Sequence, residues 1–215
     1  MKLEHDHSLF ADEPASPTQL GVPDSATEAL ARVIVVTSAL HGEGVTTISR
    51  RLALGVSRHL GDTLLIDANL RRPLEAPAGS PRRRVGFTEV LLGGMPPDAV
   101  IDVDRASALH LMPAGTGFER ASALLGSPAL RDALSALRTR YRWIFLDAPP
   151  AGVYPDAAAA CSHADGAVLV VRAEQTRAEV VDAARRSIER GPTPFLGAIL
   201  NRRQHHIPDW LYRRL

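Results

Sequence analysis

The clearest pattern along the chain is a recurrence of short apolar runs rich in β-branched residues: Val33–Thr37, Thr63–Ile66, Trp143–Leu146, Ala167–Val171 and Phe195–Leu200, with a weaker one at Leu109–Met112. Runs with no polar residue at alternate positions suit strands buried on both faces of a parallel sheet. Between them lie helical stretches: Thr46–His59, Glu119–Leu125, Ala129–Arg140 and Arg177–Arg190. In the last, Val180, Val181, Ala184 and Ile188 share one face, while Arg185, Arg186 and Glu189 fall on the other. Strands alternating with helices predict an α/β fold, a doubly wound and mostly parallel sheet joined by right-handed crossovers. Ligands of such sheets bind at the carboxyl ends of the strands.

Outside this pattern, residues 1–30 carry Pro14, Pro17 and Pro23 without sustained periodicity and read as a flexible N-terminal arm. The folded domain is expected over residues 31–203, with a tail at 204–215. Arg71–Arg84 reads as a loop, since it holds Pro73, Pro77 and Pro81 among five arginines. No stretch of 18 apolar residues is present, so no membrane span is expected. The acidic start, with Glu4, Asp6, Asp12 and Glu13, does not read as a signal peptide.

Composition changes this picture in three places. A net charge of +1 supplies no field to attract nucleic acid, so no nucleic-acid partner is expected. The single cysteine, Cys161, excludes an internal disulfide framework and suits a reducing, cytoplasmic setting; among alanines it reads as a packed residue. Lys2 is the only lysine, so the domain has no ammonium group at all. His5, His7, His205 and His206 lack the cysteine or carboxylate spacing of a metal site.

Candidate chemistry concentrates at three strand ends. Ser38–Thr47 follows a strand and opens a helix, and its core is Gly42-Glu43-Gly44-Val45-Thr46-Thr47. Glycines there let backbone N–H groups turn inward around phosphate oxygens, and the helix N-terminus adds its dipole. The Thr46 hydroxyl is placed to ligate Mg²⁺. Two other apolar runs end in carboxylates, Asp67 in Asp-Ala-Asn-Leu-Arg-Arg-Pro and Asp147 in Asp-Ala-Pro-Pro. Asp147 is expected to hold Mg²⁺ from its outer sphere, and Asp67 to orient the metal or act as a base.

Together these segments resemble the bacterial tyrosine kinases of capsular and exopolysaccharide synthesis, relatives of the MinD/ParA ATPases. The resemblance spans residues 31–203 and takes in Gly86-Phe87-Thr88-Glu89-Val90-Leu91, Leu111-Met112-Pro113-Ala114-Gly115, Leu124-Leu125-Gly126-Ser127-Pro128 and Gly197-Ala198-Ile199-Leu200-Asn201-Arg202. It implies a P-loop NTPase fold, ATP or ADP with Mg²⁺ as ligands, and Asn201 near the base. It also implies a membrane-bound polysaccharide copolymerase, or chain-length regulator, as partner, self-association, and a peripheral place at the inner face of the cell membrane.

The departures point away from catalysis. Val45 stands where the family has the lysine that contacts the β- and γ-phosphates, and Asn69 where it has a second acid. Only Arg50, Arg51, Arg71 and Arg72 lie near enough in sequence to offer a charge. The tail has one tyrosine, Tyr212, where relatives carry an autophosphorylated cluster, and no Glu-x-x-Arg-x-x-Arg helix precedes Val33. The leading expectation is a nucleotide-binding regulator with weak or no kinase activity. The alternatives are an autokinase acting on Tyr212 through an arginine, and a MinD/ParA-like positioning ATPase, which the absence of a Lys-Gly-Gly lysine disfavours. The tail residues Trp210-Leu211-Tyr212-Arg213-Arg214-Leu215 suit either a partner or anionic-surface contact, or packing of Trp210 on the domain.

Overall fold

The apolar runs become strands of a single sheet. In a computed structural model, residues 31–71, 85–104 and 109–203 are described. The arm, Arg72–Arg84 and the tail, with His205, His206, Trp210 and Tyr212, lie outside the described residues.

The strands are β1 (Arg32–Ser38), β2 (Thr63–Asp67), β3 (Asp102–Val103), β4 (His110–Met112), β5 (Trp143–Asp147), β6 (Gly166–Arg172) and β7 (Phe195–Asn201). Their order across the sheet is β3-β4-β2-β5-β1-β6-β7, parallel except for the edge pair β3–β4. The most apolar runs take the centre. All five residues of β5 are buried because β2 and β1 flank it on either side.

The helices are α1 (Val45–Leu60), α2 (Phe87–Leu91), α3 (Ala121–Leu125), α4 (Pro128–Leu137), α5 (Asp156–Cys161) and α6 (Ala178–Ile188). The sheet's two faces are covered unequally. On one, Ile48, Leu52, Ala53 and Val56 of α1 pack on Ile34, Val36, Leu65 and Phe145. On the other, α2 to α6 pack on Val33, Val35, Leu64, Ile66 and Leu146. This second cluster takes Ala184 and Ile188 from α6, as its periodicity predicts, and Val180 and Val181 lie half-buried against it.

Most expected elements are present with ends shifted. α1 begins at Val45, one residue earlier than its pattern suggests, because Gly44 turns the chain into it with φ 92°. α4 opens on Pro128, whose missing N–H costs nothing at a first turn, and closes at Leu137 rather than Arg140. Two helices, α2 and α5, and the two-residue strand β3 were not among the expected elements. Cys161 is buried at the end of α5, and burial pushes its thiol up to about 12, as befits a packed residue.

One ion pair ties the loop after β2 to the start of α5. Arg71 donates from Nε and Nη2 to the two oxygens of Asp156, at 2.7 and 2.9 Å, and from Nη1 to the Glu119 carbonyl at 2.8 Å. Asp156 is wholly buried at the first turn of α5. Removing one partner of such a pair leaves a buried charge uncompensated. Arg71→Ala is therefore expected to cost about 3–5 kcal/mol of stability, read from urea unfolding. Arg71→Lys should recover only part of that, since an ammonium cannot reproduce the fork.

Candidate functional site

The chain turns from β1 into α1 through Ala39–Gly44, and the turn needs two residues in the left-handed region, Gly42 at φ 78° and Gly44 at φ 92°. No side chain caps α1, and its first turn holds no acid. The N–H groups that open an α-helix have no partner within it, so they and the helix dipole favour an anion at this end. Thr46 and Thr47 are exposed there.

Glu43 has a different place from its neighbours. Its side chain is buried, with one oxygen accepting the Leu40 N–H at 2.7 Å. The other accepts the Arg172 N–H at 3.1 Å and the Thr176 hydroxyl. The Glu43 carbonyl in turn accepts the Asn201 amide at 2.8 Å. The loop is thus sewn to the ends of β6 and β7. A Cβ at Gly44 would stand 2.4 Å from Nδ2 of Asn201 and would push that amide aside, and φ 92° independently favours glycine. Asn201 Oδ1 accepts the Arg202 N–H at 2.9 Å.

The two strand-tip carboxylates meet beside the loop. Asp67 and Asp147 are register partners at the ends of β2 and β5. Ser49 donates to Asp147 Oδ1 at 3.1 Å. Burial pushes the Asp147 carboxyl up to about 7, and the neighbouring Asp67 charge adds to the rise, against the lowering by Thr46 and Ser49. Asp67 Oδ1 accepts the Asn69 N–H at 3.0 Å. A buried carboxylate destabilised by a second one fits a divalent cation, whose charge would favour the ionised form. The site has two carboxylates only: no group of three or more His, Cys, Asp or Glu side chains placed to hold a metal ion occurs among the described residues.

The loop after β5 buttresses this arrangement. Ala151 N–H donates to the Ser38 carbonyl at 2.8 Å, and Thr37 donates to the Pro149 carbonyl at 2.7 Å. Tyr154 stands edge-on to His41 at 5.5 Å and carries the Arg71 guanidinium over its ring at 4.9 Å. Of the arginines near the lysine position, Arg71 is therefore engaged by Asp156, and Arg50 pairs with Asp104 at 3.1 Å. Arg72 and Tyr212 lie outside the described residues. Val45 packs its side chain against the α1-face core.

The structure brings Gly42, Glu43, Gly44, Thr46, Thr47, Asp67, Asp147 and Asn201 to one end of the sheet. The sequence pattern missed Ser49, whose spacing of three from Thr46 puts both on one helix face. It also missed the bracing roles of Thr37 and Thr176, which no local signal reveals.

A glycine loop between the first strand and an uncapped helix, with carboxylates at two neighbouring strand tips, defines a P-loop α/β protein. The family profile described as cellulose biosynthesis protein BcsQ matches residues 31–188. Tyrosine-protein kinase CpsD of Streptococcus agalactiae is 31% identical over 172 residues, covering 80% of this chain and 75% of that protein. The succinoglycan biosynthesis transport protein ExoP of Rhizobium meliloti is 32% identical over 174 residues, 80% of this chain but 22% of that protein. The solved VpsO kinase domain superposes with a TM-score of 0.74 at 33% identity, covering 83% of this chain and 88% of that one. The chain belongs to the P-loop family of bacterial capsule and exopolysaccharide tyrosine kinases, with valine at the lysine position of its loop.

Asp147 generates a pH prediction. Its carboxyl is raised in the fold from 3.8 to about 7, so its charge destabilises the metal-free protein progressively from about pH 4 to pH 7 and fully above that. Asp147→Asn should therefore stabilise the metal-free protein at pH 8, by on the order of a few kcal/mol at 1.36 kcal/mol per unit, and so raise its thermal midpoint. The gain should vanish near pH 4. Calorimetry of both proteins in chelator, at pH 4 and 8, checks it.

Proposed function

We propose that this protein is a nucleotide-binding regulator of exopolysaccharide or capsule synthesis, with weak or no kinase activity. It binds ATP or ADP with Mg²⁺ and acts as partner to a membrane-embedded chain-length regulator supplied as a separate chain. The observation that carries this reading is Val45. At the first position of α1 a half-buried apolar side chain packs against the core where a phosphate-binding lysine would stand. The uncapped helix start and glycine turn remain available to an anion.

On this reading the N–H groups of Gly42–Thr47 wrap the β-phosphate, and Thr46, Asp67 and Asp147 hold Mg²⁺. Bound Mg²⁺ supplies the counter-charge to the phosphates. Asn201, fastened to the loop by its amide, lies beside it for the base. Phosphoryl transfer depends on positioned positive charge, and losing one preorganised donor costs roughly 10²–10³ in rate by analogy with oxyanion-hole deletions. Arg71 would have to leave the buried Asp156 to take the lysine's place. The link to a polysaccharide-transport partner is supported by ExoP, in which a segment similar to this chain is part of a longer succinoglycan transport protein.

Isothermal titration of ATP and ADP, with and without Mg²⁺, tests the binding: micromolar to submillimolar affinity is expected, and no heat at millimolar nucleotide overturns the proposal. Val45→Lys is expected to leave the fold intact and to raise autophosphorylation or ATP hydrolysis by about 10²–10³. Labelled ATP with wild type, Val45→Lys and Tyr212→Phe measures this. Wild-type labelling as strong as that of Val45→Lys, lost in Tyr212→Phe, would instead establish the autokinase reading.

A further inference from the structure

The end of the sheet that holds the glycine loop also holds an arginine with no partner among the described residues. Val168 and Val170 of β6 and Ile199 of β7 pack on the α1 face. Alternation puts Arg172 and Asn201, two residues further on and register partners, on that same face beyond the apolar core. β6 lies next to β1, and β7 one strand further out. The short side chain of Asn201, from the more distant strand, already reaches the Glu43 carbonyl at 2.8 Å and the space over Gly44. The longer side chain of Arg172, from the nearer strand, therefore reaches the mouth of the loop.

The backbone around Arg172 is fixed. Its N–H is held by Glu43 at 3.1 Å, its carbonyl by the Thr176 N–H at 3.2 Å, and the Ala173 N–H by the Asn201 carbonyl at 2.9 Å. The side chain is half-buried, and its guanidinium has no hydrogen-bond or ion-pair partner among the described residues, whereas those of Arg50, Arg71 and Arg138 are paired. Asn201 beside it has one amide N–H engaged by the loop and its oxygen engaged by Arg202. Charge decides which part of a nucleotide lies here. Asp67 and Asp147 stand on β2 and β5, on the other side of β1. Phosphates approach two carboxylates only with a divalent ion between them, so the metal-bearing end of the phosphate chain belongs over β2 and β5 and the nucleoside end over β6 and β7. A guanidinium is planar, weakly hydrated and attracted to the face of an aromatic ring or base.

We propose that Arg172 is a base-binding residue of the nucleotide site, its guanidinium lying on the face of the purine ring. The inference rests on the nucleotide-binding reading and adds to it the group that holds the base. Because the contact is remote from the metal, it strengthens binding without supplying charge to phosphoryl transfer.

Calorimetric titration of the full-length protein with ADP and Mg²⁺, and with inorganic pyrophosphate as a probe that has no base, tests it. Arg172→Ala is expected to weaken ADP by roughly 5- to 30-fold while pyrophosphate affinity changes by less than about twofold. Arg172→Lys, which keeps the stem and the charge but not the plane, should show the same selective loss at smaller size, and it carries the test alone if circular dichroism shows the alanine variant unfolded. Unchanged ADP affinity in Arg172→Ala, with the wild type binding, overturns the contact and leaves the nucleotide-binding reading standing. Equal loss of ADP and pyrophosphate overturns it as well, because the side chain then acts on the phosphates or the loop. Full ADP affinity in Arg172→Lys sinks the stacked plane in favour of charge alone. No binding of ADP by the wild type removes the nucleotide-binding reading, and this inference with it.

Discussion

A carboxylate buried inside the glycine loop holds that loop in shape. Glu43 takes the Leu40 N–H with one oxygen and reaches β6 and the turn after it with the other, through Arg172 and Thr176. Buried charge is tolerated only where hydrogen bonds replace its lost water, and here three donors do so. The two left-handed glycines bend the chain, but glycine alone leaves a loop loose. The bonds of Glu43 turn that permissive segment into a fixed one, with the α1 N-terminus and Asn201 at set positions around it.

Electrostatics then separates this site from an ordinary phosphate site. Glu43, Asp67 and Asp147 place three carboxyl groups around the loop, and the position that would supply an ammonium carries Val45. Of the cations that sequence proximity offers, Arg71 is held by Asp156 and Arg50 pairs with Asp104. What favours an anion here is dipolar: the N–H groups that open α1, which no side chain caps. This absence of a positioned cation at the lysine position is what the proposed binding role rests on, since phosphoryl transfer depends on positioned positive charge.

The sheet was legible because a central parallel strand has few alternatives: runs such as Trp-Ile-Phe-Leu-Asp and Arg-Val-Ile-Val-Val-Thr-Ser have no polar face to offer water. The strand-tip carboxylates were legible for the same reason, since Asp67 and Asp147 end such runs. α2 was not, because its five residues are held by distant groups. Phe87 and Thr88 donate to the Pro113 and Ala114 carbonyls, and Glu89 takes the N–H groups of Gly86 and Thr116. Two of the segments that carried the family resemblance, Gly86–Leu91 and Leu111–Gly115, thus fold against each other as structure. α5 was hidden by its alanines, which give no period to read. The bracing role of the Glu43 side chain was hidden because two of its three partners stand 129 and 133 residues away.

Cys161 lies at the end of α5, sealed from solvent and with its thiol raised to about 12, so at neutral pH it offers almost no thiolate to a reagent. The molecule is chemically silent toward maleimides and disulfides in its folded state, and it holds no other sulfhydryl. A cysteine placed anywhere on the surface would therefore be the sole reactive handle, and one spin label or dye could report on a chosen point of the fold without removing any native residue.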